Sequence, residues 1–426
     1  MAEVYYAAAL YSYLRERKGN SLSELEKRLH EFSPPWTAII PAYNEEDNIQ
    51  QSLDSVINQT YPPVEIIILD DHSSDNTPRK VFQLLKQYDA KLIKKRIIDD
   101  EDLPFGSGQK RAIIRLELPK LDMIITYVRN LEKNVGKTMN LNWAVFNLVK
   151  TPYFANIDGD TILEKDYAEK VLPLLLEDKV AAAFGFALPR VKGDKNFIYN
   201  LIYHLKYFLY AKRGQILRRF WQLIGFHYNL FGAAVFYNKS YFEKVPRPLI
   251  GNSRDTFHAW ILQLKGYKVR GKYCAIAYPE SEGTIKYFIK ERKRWGSGAY
   301  QAFYLLFKEF IRLKKYKESV VPLMTYLIPV KYSIAVYTIP LLSLVSGDPY
   351  LFIKFSALEL LLYGTGVSLS KLLKPDLSLK KMGLGLVYMY TVGKYIISAL
   401  ILRNFIVNTV DYLTGQWKEK WRFHNT

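Results

Sequence analysis

Two short acidic stretches carry side chains able to hold a divalent cation against a diphosphate. Leu69-Asp70-Asp71-His72-Ser73-Ser74-Asp75 and Asn156-Ile157-Asp158-Gly159-Asp160 each follow an apolar run that reads as a buried strand. A run such as Ile66-Ile67-Ile68-Leu69 ends at the carboxyl edge of a sheet, where open α/β folds bind ligands. In the second stretch two hard oxygen ligands flank a glycine, which lets backbone and diphosphate approach closely.

The elements that position these residues are legible in the hydrophobic pattern. Thr37-Ala38-Ile39-Ile40-Pro41 reads as a strand, Ala42 to Glu46 as a polar loop, and Ile49, Leu53 and Ile57 mark a helix. Glu65 to Leu69 and Asn76 to Gln87 repeat the unit, and two such units predict a parallel sheet. Residues 94 to 119 are charged and irregular; they read as an inserted loop or hairpin, with Asp99-Asp100-Glu101-Asp102 as a solvated acidic run. Asp122 to Val128 is a further strand. Asn134 to Asn142 opens a helix whose Lys137, after Gly136, is placed to meet phosphate.

Four segments in order then resemble the donor-binding motifs of family 2 glycosyltransferases. They are Ile40-Pro41-Ala42-Tyr43-Asn44-Glu45-Glu46, Leu69 to Thr77, Gly136 to Asn142, and Asp158-Gly159-Asp160. The resemblance implies an α/β, GT-A (Rossmann-like) catalytic domain that transfers sugar from a nucleotide-diphosphate donor with inversion. It implies donor contacts from Pro41, Tyr43, Glu45, Asp71 at the nucleoside, Lys137 and Asp158, with Mg or Mn held by Asp158 and Asp160. Asn229 to Phe236 resembles the acceptor-side segment, with Phe231 and Gly232 as acceptor contacts; it also reads as a buried strand. Asp255, in Arg254-Asp255-Thr256-Phe257-His258-Ala259-Trp260, matches the position of the general base, with helix capping as its alternative role. The family pattern has an acid before it; here Arg254 stands there, and an adjacent arginine is expected to hold Asp255 ionised.

Glu291-Arg292-Lys293-Arg294-Trp295 resembles the Gln-x-x-Arg-Trp signature of membrane-integrated members, similar to polysaccharide synthases of the cellulose, hyaluronan and poly-GlcNAc kind and to lipid glucosyltransferases. Arg294 is then a donor-diphosphate contact and Trp295 an acceptor contact, with Glu291 where the signature has Gln. The same basic helix also suits anionic lipid.

Val320 to Val345 carries Lys331 as its only charge and is long enough to cross a bilayer. Leu351 to Leu369, with Lys354 and Glu359, and Leu384 to Leu402, with Lys394, are weaker spans. Their charges mark either an acceptor route or a re-entrant or interfacial helix. Lys371, Lys374, Lys380 and Lys381 between them predict a cytoplasmic loop and a cytoplasmic catalytic domain in a multi-pass cell-membrane protein. Tyr300 to Phe310, and Ile198 to Trp221 with Lys206, Lys212, Arg213, Arg218 and Arg219, suit the headgroup level; the second also reads as a buried helix. Met1 to Leu14 fits neither a signal peptide nor a span, and Ser21 to Glu31 reads as an amphipathic helix.

The expected organisation is thus 1–33 amphipathic, 34–298 catalytic, 299–318 interfacial helix, 319–413 transmembrane and 414–426 tail. The chain has 426 residues, 49% of them hydrophobic, and a net charge of +19, which points to an anionic surface as partner. The expected partners are a nucleotide-sugar donor, a glycan or lipid acceptor and the bilayer, with no nucleic acid. The single cysteine, Cys274, excludes an internal disulfide and reads as a core residue. A nicotinamide oxidoreductase is disfavoured, since no Gly-x-Gly-x-x-Gly follows the first strand. A basic membrane adaptor or nucleic-acid binder without catalysis is the other rival.

Overall fold

A computed structural model describes residues 2–18, 27, 29–190 and 196–420. Ten strands form one sheet: β1 (Trp36–Ala42), β2 (Glu65–Asp70), β3 (Lys91–Asp99), β4 (Lys110–Leu118), β5 (Met123–Asn130), β6 (Tyr153–Ile157), β7 (Thr161–Leu163), β8 (Val180–Ala187), β9 (Ala234–Asn238) and β10 (Lys268–Pro279). Their order is β3-β4-β5-β2-β1-β6-β9-β8-β10-β7. The four central strands, β5, β2, β1 and β6, are mutually parallel, as the repeated strand-helix units require. Outside them β4 and β9 run antiparallel to their inner neighbours, so the sheet is mixed. Ile66, Ile67 and Ile68 are buried on both faces of β2. At about 1.5–3 kcal/mol per buried side chain, such a run holds its strand at the centre.

The helices that position the site are α1 (Ala2–Lys18), α2 (Ile49–Ile57), α3 (Thr77–Gln87), α4 (Lys137–Asn147), α5 (Phe197–Lys212), α6 (Arg254–Leu264) and α7 (Ile285–Arg312). The amphipathic segment expected at Ser21 to Glu31 lies largely outside the described residues, although its Leu29 is buried in the main core.

The region from Lys94 to Pro119 is an ordered hairpin of β3 and β4 at the sheet edge. Its acidic run is not wholly solvated. Asp100 is fully buried, ion-paired to Arg111 at 2.6 Å, and accepts hydrogen bonds from the backbone of Ser107 and Gln109. Cys274 is half-buried in β10.

Among the described residues three helices are long and apolar enough to cross a membrane: α8 (Tyr316–Ser346), of which Glu318–Ser346 qualifies, α9 (Pro349–Leu373) and α10 (Leu379–Leu413). Two of the charges inside the weaker spans neutralise one another: Lys394 of α10 meets Glu359 of α9 at 2.6 Å, and both are buried, whereas Lys354 is exposed. The turn between α9 and α10 docks on the catalytic domain, with Lys374 donating to the Cys274 carbonyl at 3.4 Å, and so does the start of α10, where Lys381 donates to the Tyr203 hydroxyl at 2.9 Å. The far end of α10 also rests on that domain: Asn404 donates to the Arg292 carbonyl at 3.3 Å and the Ser297 hydroxyl to Asn408 at 3.0 Å.

Not all the basic residues expected at headgroup level face outward. Lys206, Arg218 and Arg219 are buried, with Arg218 over the rings of Phe184 and Phe231 and Arg219 over Tyr13 and Tyr273. Tyr300 and Phe310 pack into the catalytic core rather than lying free at an interface. The expected boundary near residue 298 falls within the continuous helix α7.

Candidate active site

The carboxyl ends of β2, β1 and β6 lie side by side and deliver the loops of the first, second and fourth motifs to one edge. The first two loops are laced together. Asn44 N–H donates to Ser73 Oγ at 3.1 Å, Glu45 N–H to Thr77 Oγ1 at 2.7 Å and Glu46 N–H to Asp75 Oδ2 at 3.1 Å, while Ser74 N–H returns to Asn44 Oδ1 at 2.9 Å. Tyr43 is left half exposed on this rim.

The acids of the first pair have separate surroundings. Asp70 is buried, accepts from Ser73 N–H at 2.8 Å and from the Tyr127 hydroxyl, and lies 3.6 Å from Arg129 Nε. Burial, then the charge of Asp70, pushes the Tyr127 phenol upward. Asp71 accepts from Val135 N–H (2.9 Å), Gly136 N–H (2.8 Å) and Asn130 Nδ2 (2.7 Å). Its carboxylate therefore fixes the turn that starts α4, where Gly136 has φ +87°, a conformation a side chain would strain. Asn130 Oδ1 and Asn140 Oδ1 in turn accept from Arg111, which joins this turn to the edge hairpin.

That turn aims Lys137 at the second acidic pair. Its ammonium is ion-paired to Asp158 and lies 3.5 Å from the carbonyl of Gly232. Gly159 fits close under the first motif: a Cβ there would lie 3.1 Å from the Pro41 carbonyl and 3.2 Å from Glu45 Cγ. Burial, then the charge of Asp160, pushes Glu45 up to about 8, with Asp158 and Glu280 adding to the rise. Asp160 is raised by burial and by Asp158. This crowd of carboxylates is the setting a divalent cation would relieve. Among the described residues no three His, Cys, Asp or Glu side chains close around an ion by themselves. The pair Asp158 and Asp160 therefore fits a Mg-type site, in which one or two carboxylates are completed by substrate phosphates and water.

Gly232 joins this half to Asp255. Its carbonyl receives Lys137 and Asn156 Nδ2 (3.3 Å), and a Cβ on it would collide with the Asp255 carboxylate. Phe231 is buried beside it, under Arg218. Asp255 starts α6, but the guanidinium paired to it is that of Arg247, from a preceding loop. The adjacent Arg254 instead donates to Thr138 Oγ1 at 3.1 Å.

Helix α7 closes the site. Gly298 packs against Ser253, immediately before α6, which sets Arg294 and Trp295 about one turn away. Arg294 is exposed, and Trp295 is half-buried, with Arg292 5.0 Å from its ring. Glu291 turns away from the site and pairs with buried Lys206 at 2.9 Å.

Arg247 and Glu280 join the site without a sequence motif that announces them. Arg247 lies between two prolines, Pro246 and Pro248, a loop signal without chemistry of its own. Glu280 follows the last strand and accepts from Asn48.

Residues 37–100 match the family described as Glycosyl transferase family 2, and residues 153–369 match Glycosyl transferase family group 2. The poly-beta-1,6-N-acetyl-D-glucosamine synthase of Staphylococcus epidermidis is 25% identical over 309 residues, 72% of this chain and 64% of the relative. The same-named protein of Staphylococcus aureus (strain MSSA476) is 24% identical over 285 residues, 66% of this chain and 58% of the relative. The chain thus spans less than two thirds of the length of these curated relatives. The fold is like that of the mannosyltransferase PcManGT from Pyrobaculum calidifontis, solved with GDP-Man and Mn2+, at a TM-score of 0.52 and 14% identity over 99% of this chain and all of that one.

Proposed function

The chain belongs to the family 2 glycosyltransferases, and from that premise we propose that it moves a sugar from a UDP-sugar to a membrane-associated glycan acceptor, with inversion, as polysaccharide synthases do. The observation that carries the reading is the continuity through Gly232, which sets Lys137 and Asp158 against one side of a single backbone unit and Asp255 against the other.

In the transfer, an acceptor hydroxyl oxygen attacks the anomeric carbon and its proton passes to the Asp255 carboxylate. The bond from that carbon to the diphosphate breaks, and its electron pair leaves on the diphosphate. Lys137, at the start of α4, and Arg294 bind the departing anion. Pro41, Tyr43, Glu45 and Asp71 border the nucleoside, and Phe231, Gly232 and Trp295 the acceptor. Asp158 and Asp160 would hold Mg or Mn, which when bound stabilises charge on the leaving diphosphate.

The basic residues around the turn from α9 to α10, of which Lys374 and Lys381 dock on the catalytic domain, support a cell-membrane protein with that domain on the cytoplasmic side. A second reading, transfer of one sugar to a lipid, draws on the contact of α7, which carries Trp295, with the apolar helix α10.

The test is nucleotide release by the detergent-solubilised protein from a panel of nucleotide sugars with Mn or Mg, with product size followed in parallel. Metal-dependent release, lost on chelation and in Asp158→Asn and Asp160→Asn, is expected. No turnover with any donor would overturn the reading.

A further inference from the structure

Two guanidinium groups beside Asp255 are not used by the transfer step. Arg247 is only 4% exposed; one of its nitrogens meets Asp255, while Nε and Nη1 are buried with no hydrogen-bond partner among the described residues. Its backbone is pinned to α4, with Asn142 Nδ2 donating to its carbonyl at 2.9 Å and Asn142 Oδ1 accepting from its N–H at 3.3 Å. Arg254 reaches the same helix through Thr138. Burial, then the charges of Arg247 and Arg294, pushes the Arg254 guanidinium down to about 10. Arg247 is thus paired to Asp255 and lies close enough to Arg254 for the two guanidinium groups to repel. A buried guanidinium with open donors is costly unless an anion completes it.

We infer that the acceptor carries a phosphate ester beside the hydroxyl that attacks, and that Arg247 and Arg254 hold this phosphate. The inference rests on the transferase reading and names the acceptor class for it. Arginine suits the task, since its planar fork matches phosphate oxygens. On binding, the phosphate takes over donors of Arg247 and leaves the Asp255 oxygens free for the hydroxyl proton. The rest of the step is unchanged: the hydroxyl oxygen bonds to the anomeric carbon, and the diphosphate leaves with its electron pair.

The experiment compares acceptors in detergent with whichever donor and metal give turnover. Dioctanoyl phosphatidylglycerol offers a hydroxyl and a phosphate on a lipid, dioctanoylglycerol the hydroxyl without the phosphate, and glycerol 3-phosphate both without the lipid. The phosphorylated acceptors are expected to exceed the neutral one in kcat/KM by about ten- to a hundredfold, the scale of one or two charge-assisted hydrogen bonds. Preference for phosphatidylglycerol alone identifies a lipid headgroup, and use of glycerol 3-phosphate a soluble source. In Arg254→Gln the ratio should fall towards one, and Arg254→Lys should restore part of it. Equal use of the neutral lipid by the unmutated protein, or turnover with neutral glycans only, overturns the inference while sparing the transferase reading. Absence of all donor turnover overturns both.

Discussion

Lys206 Nζ lies 2.9 Å from Glu291 Oε2, and solvent is almost wholly excluded from both side chains. Glu291 stands where the Arg-Trp signature has glutamine, so the substitution has a structural partner. Restoring that residue, Glu291→Gln, would strand a buried ammonium at a cost of about 3–5 kcal/mol. Thermal unfolding in detergent should show the loss, and the double variant Lys206→Met with Glu291→Gln should recover much of it. A single variant as stable as the parent would contradict the pairing.

Asp255→Asn should lower kcat by about 10²–10⁴-fold, the usual contribution of a positioned base, with little change in donor KM. Gly232→Ala should act in the same direction, because its methyl group meets the Asp255 carboxylate. Full turnover in Asp255→Asn would remove that residue from the chemistry.

His227 and His258 give the fold an acid limit. Burial pushes both imidazoles down to about 3, against about 6.5 in the unfolded chain. Below pH 6.5 the unfolded chain therefore binds protons that the folded one refuses, so stability is complete above that value and falls towards pH 3. Each histidine contributes about 1.4 kcal/mol per pH unit within that window. Melting temperatures from pH 7.5 to 4.5 should decline accordingly, and His227→Leu should flatten the slope. An unchanged slope would count against the assignment.

Both ends of α10 rest on the catalytic domain, through Lys381 and through Asn404 and Asn408. The expected topology is a hairpin of α8 and α9 that crosses and returns, with α10 lying along the catalytic side. In a Cys274→Ser background, single cysteines at Ser378 and Gly415 should react with an impermeant maleimide from one side of the membrane, and one at Gly347 from the other. Labelling of positions 378 and 415 from opposite sides would require α10 to cross.

The strand-end acids and Lys137 were legible because each follows a local pattern: an apolar run ending in an acid, or a glycine opening a helix. The partners were not. Asp100 looks solvated in a run of four acids, and its neutralising Arg111 arrives only when β3 folds back on β4. Arg254 is not the partner of Asp255, since successive helical residues point about 100° apart; Arg247 comes in from a loop instead. The charges of the weaker spans, Glu359 and Lys394, likewise make sense only once α9 and α10 are packed together.

The polar chain from Asp100 through Arg111, Asn130 and Asn140 to Asp71 has a bearing on how this sequence can diverge. Each member satisfies another member's buried donors or acceptors, so a lone replacement leaves an orphan under the turn that aims Lys137. These five positions should drift as a linked set, whereas the exposed outer strand β3, whose side chains meet mostly solvent, is free to vary one residue at a time.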